Sequence, residues 1–300
     1  NDVYREYILD NKVDTVTKAF NYAVAKYGSK RALGTREVLG ESEERQNNGK
    51  VFKKLSLGEY KWMTYTETQK TSNHFGKGLR ELGQRPGDAV AIYAETRAEW
   101  LMAAFGSFSQ SMVVSTLYTN LGDEAIMHGL NETEVSCVVT SHELLPKFKK
   151  MLEHCPHIQT VIVMEDQIFP LDITGYKLGA RVIPFRSVVN MGEKSSVDVV
   201  PPTSETPAII MYTSGCTGNP KGISVFNPQF WIGGFCSDPD PVFEKMSDPL
   251  FSPSPPSSCP HRTARETRKV FLSSNHISGS ADFVLIRMRY MKKLESGLNT

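Results

Sequence analysis

Up to about Val225 the sequence keeps exchanging a helical spacing of apolar residues for short β-rich runs, and this alternation limits the fold more than any other feature. Parallel strands need a crossover between them, so strands alternating with helices read as an α/β fold built on a parallel sheet. The first clear unit starts from a capping pair, Thr66 and Gln69, and predicts a helix over 67–82 with Gly83 as its stop. Pro86-Gly87-Asp88 then reads as a turn, and a strand over 89–94 follows directly. Thr96 and Glu99 repeat the capping pattern ahead of a helix over 98–105. The rhythm continues with a strand over 112–117, a helix over 123–131, a strand over 135–140, a helix over 142–153 and a strand over 160–164. Two more apolar runs, 182–185 and 207–212, are short enough to be strands buried on both faces.

After about Phe226 the texture changes. Eight of the 17 prolines lie beyond that point, and the stretch DPLFSPSPPSSCP over 248–260 excludes a helix or a central strand. The expected division is therefore 1–225 as an α/β unit and 226–300 as a Pro/Ser-rich, disordered tail. Residues 282–296, DFVLIRMRYMKKLES, are basic and partly apolar, but their apolar residues keep no single helical face, so they read as unstructured tail.

Charge and cysteine content exclude several function classes. Thirty-four basic residues against 33 acidic ones leave a formal charge of +1, without the basic footprint of a nucleic-acid-binding protein. Five cysteines without a C-x-x-C pair write neither a disulfide framework nor a zinc module, which points to a reducing compartment. The charge-free run over 100–122 is long enough to span a bilayer, yet it carries Ser107, Ser109, Gln110, Ser111, Ser115, Thr116, Thr119 and Asn120. So many polar groups read as a buried helix followed by a strand.

The strongest chemical signal is Tyr212-Thr213-Ser214-Gly215-Cys216-Thr217-Gly218-Asn219-Pro220-Lys221-Gly222, directly after the apolar run that ends at Met211. A strand opening into glycines, hydroxyls and a lysine suits polyphosphate recognition. Gly215, Gly218 and Gly222 let backbone N–H groups approach oxygens, Thr213, Ser214 and Thr217 donate further hydrogen bonds, and Lys221 supplies a point charge. A Walker A loop is excluded, because Pro220 and Gly222 stand where its second glycine and its Ser or Thr belong.

The whole string resembles the phosphate-binding signature of the adenylate-forming, AMP-binding superfamily, and much of the chain from Val13 to Lys221 looks like the long-chain acyl-CoA synthetases. The likeness is carried by LGTRE from Leu33, GKVFKKLSLGEYKWMTYTE from Gly49, AETRAEWLMAA from Ala94, TLYTNLGDEAIMHGLNETE from Thr116 and TSHELL from Thr140. GKVFKKL and YKWM are similar to the animal branch that includes arachidonate-preferring enzymes. The resemblance implies the N-terminal part of an adenylate-forming domain and an ATP-dependent ligase that activates long-chain fatty acids through an acyl-adenylate. ATP, Mg²⁺ and coenzyme A are its implied co-reactants. It further implies that Thr213, Ser214, Gly215, Cys216, Thr217, Gly218, Lys221 and Gly222 hold the nucleotide's phosphates. An intracellular, membrane-associated setting on endoplasmic reticulum or lipid droplets, through an upstream anchor, is implied in the same way.

Two departures qualify what is expected of the chain. Cys216 replaces the usual Ser or Thr, exchanging a good donor for a weak thiol, which predicts weakened nucleotide binding. After Gly222 the family's Tyr-Gly-x-Thr-Glu-type motif, its ribose-binding Asp and its C-terminal lid with the adenylating lysine do not follow. The expectation is a chain that does not complete adenylation alone, and the alternative function is an inactive, shortened homologue that binds a full-length synthetase or a lipid surface. A shifted reading frame, a retained intron or a splice variant would each leave such a tail.

The remaining candidates have structural readings. Glu153-His154-Cys155-Pro156-His157 has no standard metal spacing and is broken by proline, so it reads as a helix end, and no metal ligands are assigned. His74 and His128 fall in amphipathic helices as partly buried structural residues, and Cys259 and His261 fall in the tail. Glu95, Arg97 and Glu99 mark a strand-to-helix junction, while Trp62, Trp100, Met102 and Phe105 read as core.

Overall fold

The computed structural model describes residues 13–45, 51–173, 179–213 and 221–227. Residues 226 and 227 apart, the expected tail, with residues 282–296, Cys259 and His261, lies outside the described residues. The chain enters through helix α1 (Val16–Tyr27), capped by the Thr15 hydroxyl, which accepts from the Lys18 N–H. Two long strands follow, β1 (Arg31–Arg45) and β2 (Val51–Thr64), paired antiparallel as a separate two-stranded ribbon. Isolated ribbons are marginal in water. This one is braced by Arg36, whose guanidinium donates to the Leu57 and Gly58 carbonyls, and by Gln167, whose amide bonds the backbone at Arg36 and Val38.

Then come α2 (Tyr65–Glu81), β3 (Ala89–Tyr93), α3 (Ala98–Ser109), β4 (Val113–Thr116), α4 (Asp123–Glu132) and β5 (Cys137–Ser141). The described chain closes with α5 (Leu145–Met151), β6 (Thr160–Met164), β7 (Arg181–Pro184), α6 (Phe185–Lys194), β8 (Pro207–Thr213) and β9 (Lys221–Phe226). Seven strands form one sheet in the order β7-β6-β5-β3-β4-β8-β9, parallel throughout except for β9, which runs antiparallel to β8.

The sheet is buried because helices cover both faces, which is why its strands read as unbroken apolar runs. On one face α2, α3 and α6 bring Phe75, Leu79, Met102, Ala103, Phe185 and Val188 against Val90, Ile92, Val114, Val139 and Ile162. On the other, α4 and α5 bring Ile126, Leu130, Phe148 and Met151 against Ala91, Tyr93, Val138, Val161 and Val163. Helices α2, α3 and α6 approach one another closely at glycines: a Cβ on Gly106 would lie 2.5 Å from the Ser72 carbonyl oxygen, and one on Gly78 2.1 Å from that of Val188.

Most expected elements appear, with shifted boundaries. The capping box of α2 is formed by Thr64 and Glu67, two residues before the expected pair, because Thr64 ends β2 in extended backbone and supplies the cap there. Gln69 instead donates to the Asn21 carboxamide oxygen. Helix α3 has Arg97 at its N-cap without a side-chain cap bond, and Glu99 pairs with Arg97 rather than closing a box with Thr96. Gly83 does follow the helix end with φ 99°. Phe185 starts α6 rather than ending a strand. The run over 100–122 is buried helix followed by strand, and among the described residues no helix is long and apolar enough to cross a membrane.

Candidate functional site

The polypeptide leaving β3 passes through α3 on one face, whereas that leaving the adjacent β4 passes through α4 on the other. Open α/β sheets bind ligands in the crevice such a switch opens at the carboxyl ends of their strands. Here the two loops at the switch are tied together, the Thr119 hydroxyl donating to the Glu95 carboxylate. Arg97, only 6% exposed, adds a second tie. Its Nε and Nη2 donate to the two Glu99 carboxylate oxygens at 2.9 and 3.2 Å, and Nη2 reaches the Glu165 carbonyl at 2.9 Å. A guanidinium bonded through Nε and Nη2 to Glu99 and to the Glu165 carbonyl braces the loops after β3 and β6.

Strand β8 lies beside β4, so its carboxyl end stands next to this crevice. The backbones of Thr213 and Lys221 are cross-strand partners, as are those of Tyr212 and Gly222, so β8 and β9 form the base of a hairpin. The structure thus brings the two flanks of the sequence-predicted site, Thr213 on one side and Lys221 with Gly222 on the other, to one point on the carboxyl edge. Ser214, Gly215, Cys216, Thr217 and Gly218 lie outside the described residues.

Tyr212, which sequence reasoning did not assign a role, stands at the base of that hairpin and is 2% exposed. Its phenol donates to the Gly129 carbonyl of α4 at 3.1 Å. The ring fills the room left by two glycines: a Cβ on Gly129 would come within 3.2 Å of it, and one on Gly222 within 3.3 Å. Burial, together with the Glu132 carboxylate, pushes the phenol well above the usual tyrosine range, so it remains a protonated donor. The available signal was a glycine inside α4, a residue that costs about 1 kcal/mol there and marks a close approach.

No other described cluster competes with this edge. Among the described residues no group of three or more His, Cys, Asp or Glu side chains converges as a metal site. Cys155 is 1% exposed within the core beneath α4 and α5, and its thiol is raised by burial. His74 and His128 are both half-buried, and Met102 lies in the core with Trp100 and Phe105 packed against it. Trp62 belongs to the ribbon, stacked on Tyr60.

Residues 41–232 match the AMP-binding enzyme family. The chain is 35% identical over 215 residues to Long chain acyl-CoA synthetase 8 of Arabidopsis thaliana, covering 70% of this chain and 30% of that protein. It is 30% identical over 224 residues to Long-chain-fatty-acid CoA ligase 1 of Schizosaccharomyces pombe, covering 70% of this chain and 33% of that one. Its fold is similar to the adenylation domain of a carboxylate reductase from Mycobacterium chelonae, with a TM-score of 0.59 and 19% identity, over 73% of this chain and 35% of that chain. The chain spans about a third of the length of these curated relatives.

Proposed function

Because the chain belongs to the AMP-binding enzyme family, we propose that its β8–β9 hairpin is the phosphate-binding element of a long-chain fatty-acid:CoA ligase. In that reaction a carboxylate oxygen of the fatty acid attacks the α-phosphorus of ATP, the bond to the bridging oxygen breaks and pyrophosphate leaves. The thiol of coenzyme A then attacks the acyl carbon, AMP leaves and the thioester forms. The observation that carries this reading is the register that sets Thr213 opposite Lys221 beside the switch crevice.

The work of such an element is electrostatic. Backbone N–H groups freed by Gly215, Gly218 and Gly222, the hydroxyls of Thr213, Ser214 and Thr217, the thiol of Cys216 and the charge of Lys221 offset the charge that builds on the departing pyrophosphate. None of them need act as a nucleophile. A Mg²⁺ ion bound with the nucleotide would supply further positive charge there. The long-chain synthetases among the relatives support the fatty-acid substrate, and the resemblance alone supports an intracellular, membrane-associated setting.

Equilibrium binding of a fluorescent ATP analogue with Mg²⁺ to the full chain tests the reading. Saturable binding displaced by ATP and by pyrophosphate is the expected result. No binding, or binding that pyrophosphate leaves untouched, would count against a phosphate-binding role for this hairpin. Fatty-acid-dependent exchange of pyrophosphate into ATP tests the larger claim of adenylation.

A further inference from the structure

Resting on that reading of the hairpin, we propose that Tyr212 is its positioning residue: the phenol ties the base of the β8–β9 hairpin to α4, and α4 thereby sets where the hairpin stands over the carboxyl edge. The argument begins with register. Strand β8 pairs with β4 only from Ile209 to Met211, the last pair being Thr116 with Met211. Tyr212 and Thr213 run past the end of β4 and pair only with β9, which is itself the edge of the sheet. Gly222 is exposed, and Ile223 is 51% exposed. An overhanging hairpin with no strand beside it is free to bend; this one is joined to the body of the domain by the packing of the buried Tyr212 ring, with the Glu132 carboxylate close by, and in direction by the bond from the Tyr212 phenol to the Gly129 carbonyl.

That contact is specific in shape as well as in polarity. Gly129 on one side and Gly222 on the other leave a slot that the ring occupies, with Leu117 closing it from the end of β4. A methyl group at position 129 would stand 2.8 Å from a Leu117 methyl and 3.2 Å from the Tyr212 ring, so the ring would have to move and take the hairpin with it.

The same geometry separates positioning from stability. The Gly129 carbonyl already accepts from the Thr133 N–H at 3.2 Å and from the Thr133 hydroxyl at 2.7 Å. Removing the phenol therefore leaves no orphaned acceptor in the core, and Tyr212→Phe keeps the ring that fills the slot. What is lost is the tether. The competent position of the hairpin becomes one of several, and apparent affinity falls with the populated fraction.

The test compares Tyr212→Phe with the unmodified full chain and with Tyr60→Phe, a tyrosine of the ribbon. Tyr212→Phe should weaken binding of the ATP analogue about three- to tenfold, the scale set by one net hydrogen bond. Its melting temperature should stay within about 2 °C, because a loss confined to the overhang touches little of the buried core. Gly129→Ala should weaken binding at least as much, and combining the two should add little, since both release the same tether. Equal affinity in Tyr212→Phe and the unmodified chain would overturn the proposal, as would a weakening matched by a large fall in melting temperature. If the unmodified chain binds no nucleotide, the proposed function fails, and amide exchange decides the inference separately. Faster exchange at Gly222 and Ile223 in Tyr212→Phe supports the tether, and unchanged exchange refutes it.

Discussion

Gly192→Ala is expected to destabilise the domain although it replaces a poor helix former with the best one. Gly192 lies in the last turns of α6, pressed onto α2. A Cβ there would stand 1.7 Å from the His74 carbonyl oxygen and 2.6 Å from the Gly78 nitrogen, where real Cβ contacts essentially never fall below 3.0 Å. Both neighbours are helix backbone and neither can swing away. The two helices must part locally by roughly 1 Å, a gap that forfeits a quarter to a half of each dispersion contact it opens. The contacts at stake include the stacked pair Phe75 and Phe185, with ring centroids 4.5 Å apart, and the fully buried Leu79 and Val188.

Two magnitudes compete. Alanine gains about 0.5–1 kcal/mol over glycine in a helix interior, and less in a final turn. Overpacking of a tight contact costs about 1–3 kcal/mol, occasionally more. Overpacking wins, and a net loss of about 2 kcal/mol follows. With a urea m-value of about 2 kcal/mol/M, the unfolding midpoint should fall by about 1 M, as read by far-ultraviolet circular dichroism on the full chain. Gly40→Ala is the control, because a Cβ at Gly40 meets nothing within 4 Å. Gly78→Ala opens the same interface, so the double variant should lose less than the sum of the single losses. A midpoint for Gly192→Ala equal to or above that of the unmodified chain would refute the account of how α2 and α6 are held together.

Arg97→Met should cost about 2–3 kcal/mol, below the figure for a fully buried pair because water reaches the abandoned Glu99, and Arg97→Lys should rescue little, since an ammonium cannot span both carboxylate oxygens; thermal unfolding measures both. Glu67 is held below the usual carboxylate range by the Thr64 N–H and hydroxyl of the capping box. Its contribution to stability is therefore present above the unfolded-state value and lost as pH falls through the lowered folded one, which a titration followed by nuclear magnetic resonance should show as a low midpoint that rises only part of the way back in Thr64→Ala, where the hydroxyl is lost and the N–H remains. Burial pushes the Cys137 thiol up to about 12. Folded protein should keep it unreactive toward a disulfide reagent at pH 8 until urea exposes it, and its contribution to stability, complete below the unfolded-state value of about 8.5, should drain away as pH climbs toward the folded one. Cys216→Ser should tighten ATP binding by restoring a hydroxyl donor, and an unchanged dissociation constant in a chain that binds ATP would remove the side chain from the site.

The sheet was legible because burial on both faces forces its strands into runs such as Thr160–Met164, TVIVM, which nothing amphipathic imitates. The ribbon of β1 and β2 was not. Beyond Gly34 the first strand is half-buried or exposed, so neither an apolar run nor a strict alternation marks it. Thr64, Thr66, Glu67 and Gln69 offer two overlapping capping boxes, and only the place where β2 ends decides between them. Helix α6 was hidden because Phe185 continues the apolar run of β7 without a break. At the candidate site the polyphosphate reading of residues 213–222 rests on side-chain types alone, and the structure adds only that their two flanks pair. The tether could not, because it joins Tyr212 to a carbonyl 83 residues earlier, and a backbone acceptor leaves no trace in a sequence.

The position of β8 in the sheet also dictates an order of events during synthesis. Strand β4 finds its outer partner only when β8 has been made, and the Thr116 hydroxyl donates to the Ile210 carbonyl 94 residues further along. At roughly 5–20 residues per second a ribosome needs on the order of 5–20 s to cover that distance. Throughout that interval one edge of the nascent sheet is an unpaired, apolar strand, the condition in which chains pair with one another. Any pause in translation before Pro207 prolongs that exposure, so yield of soluble protein should respond to codon choice between β4 and β8 more than to codon choice before β3.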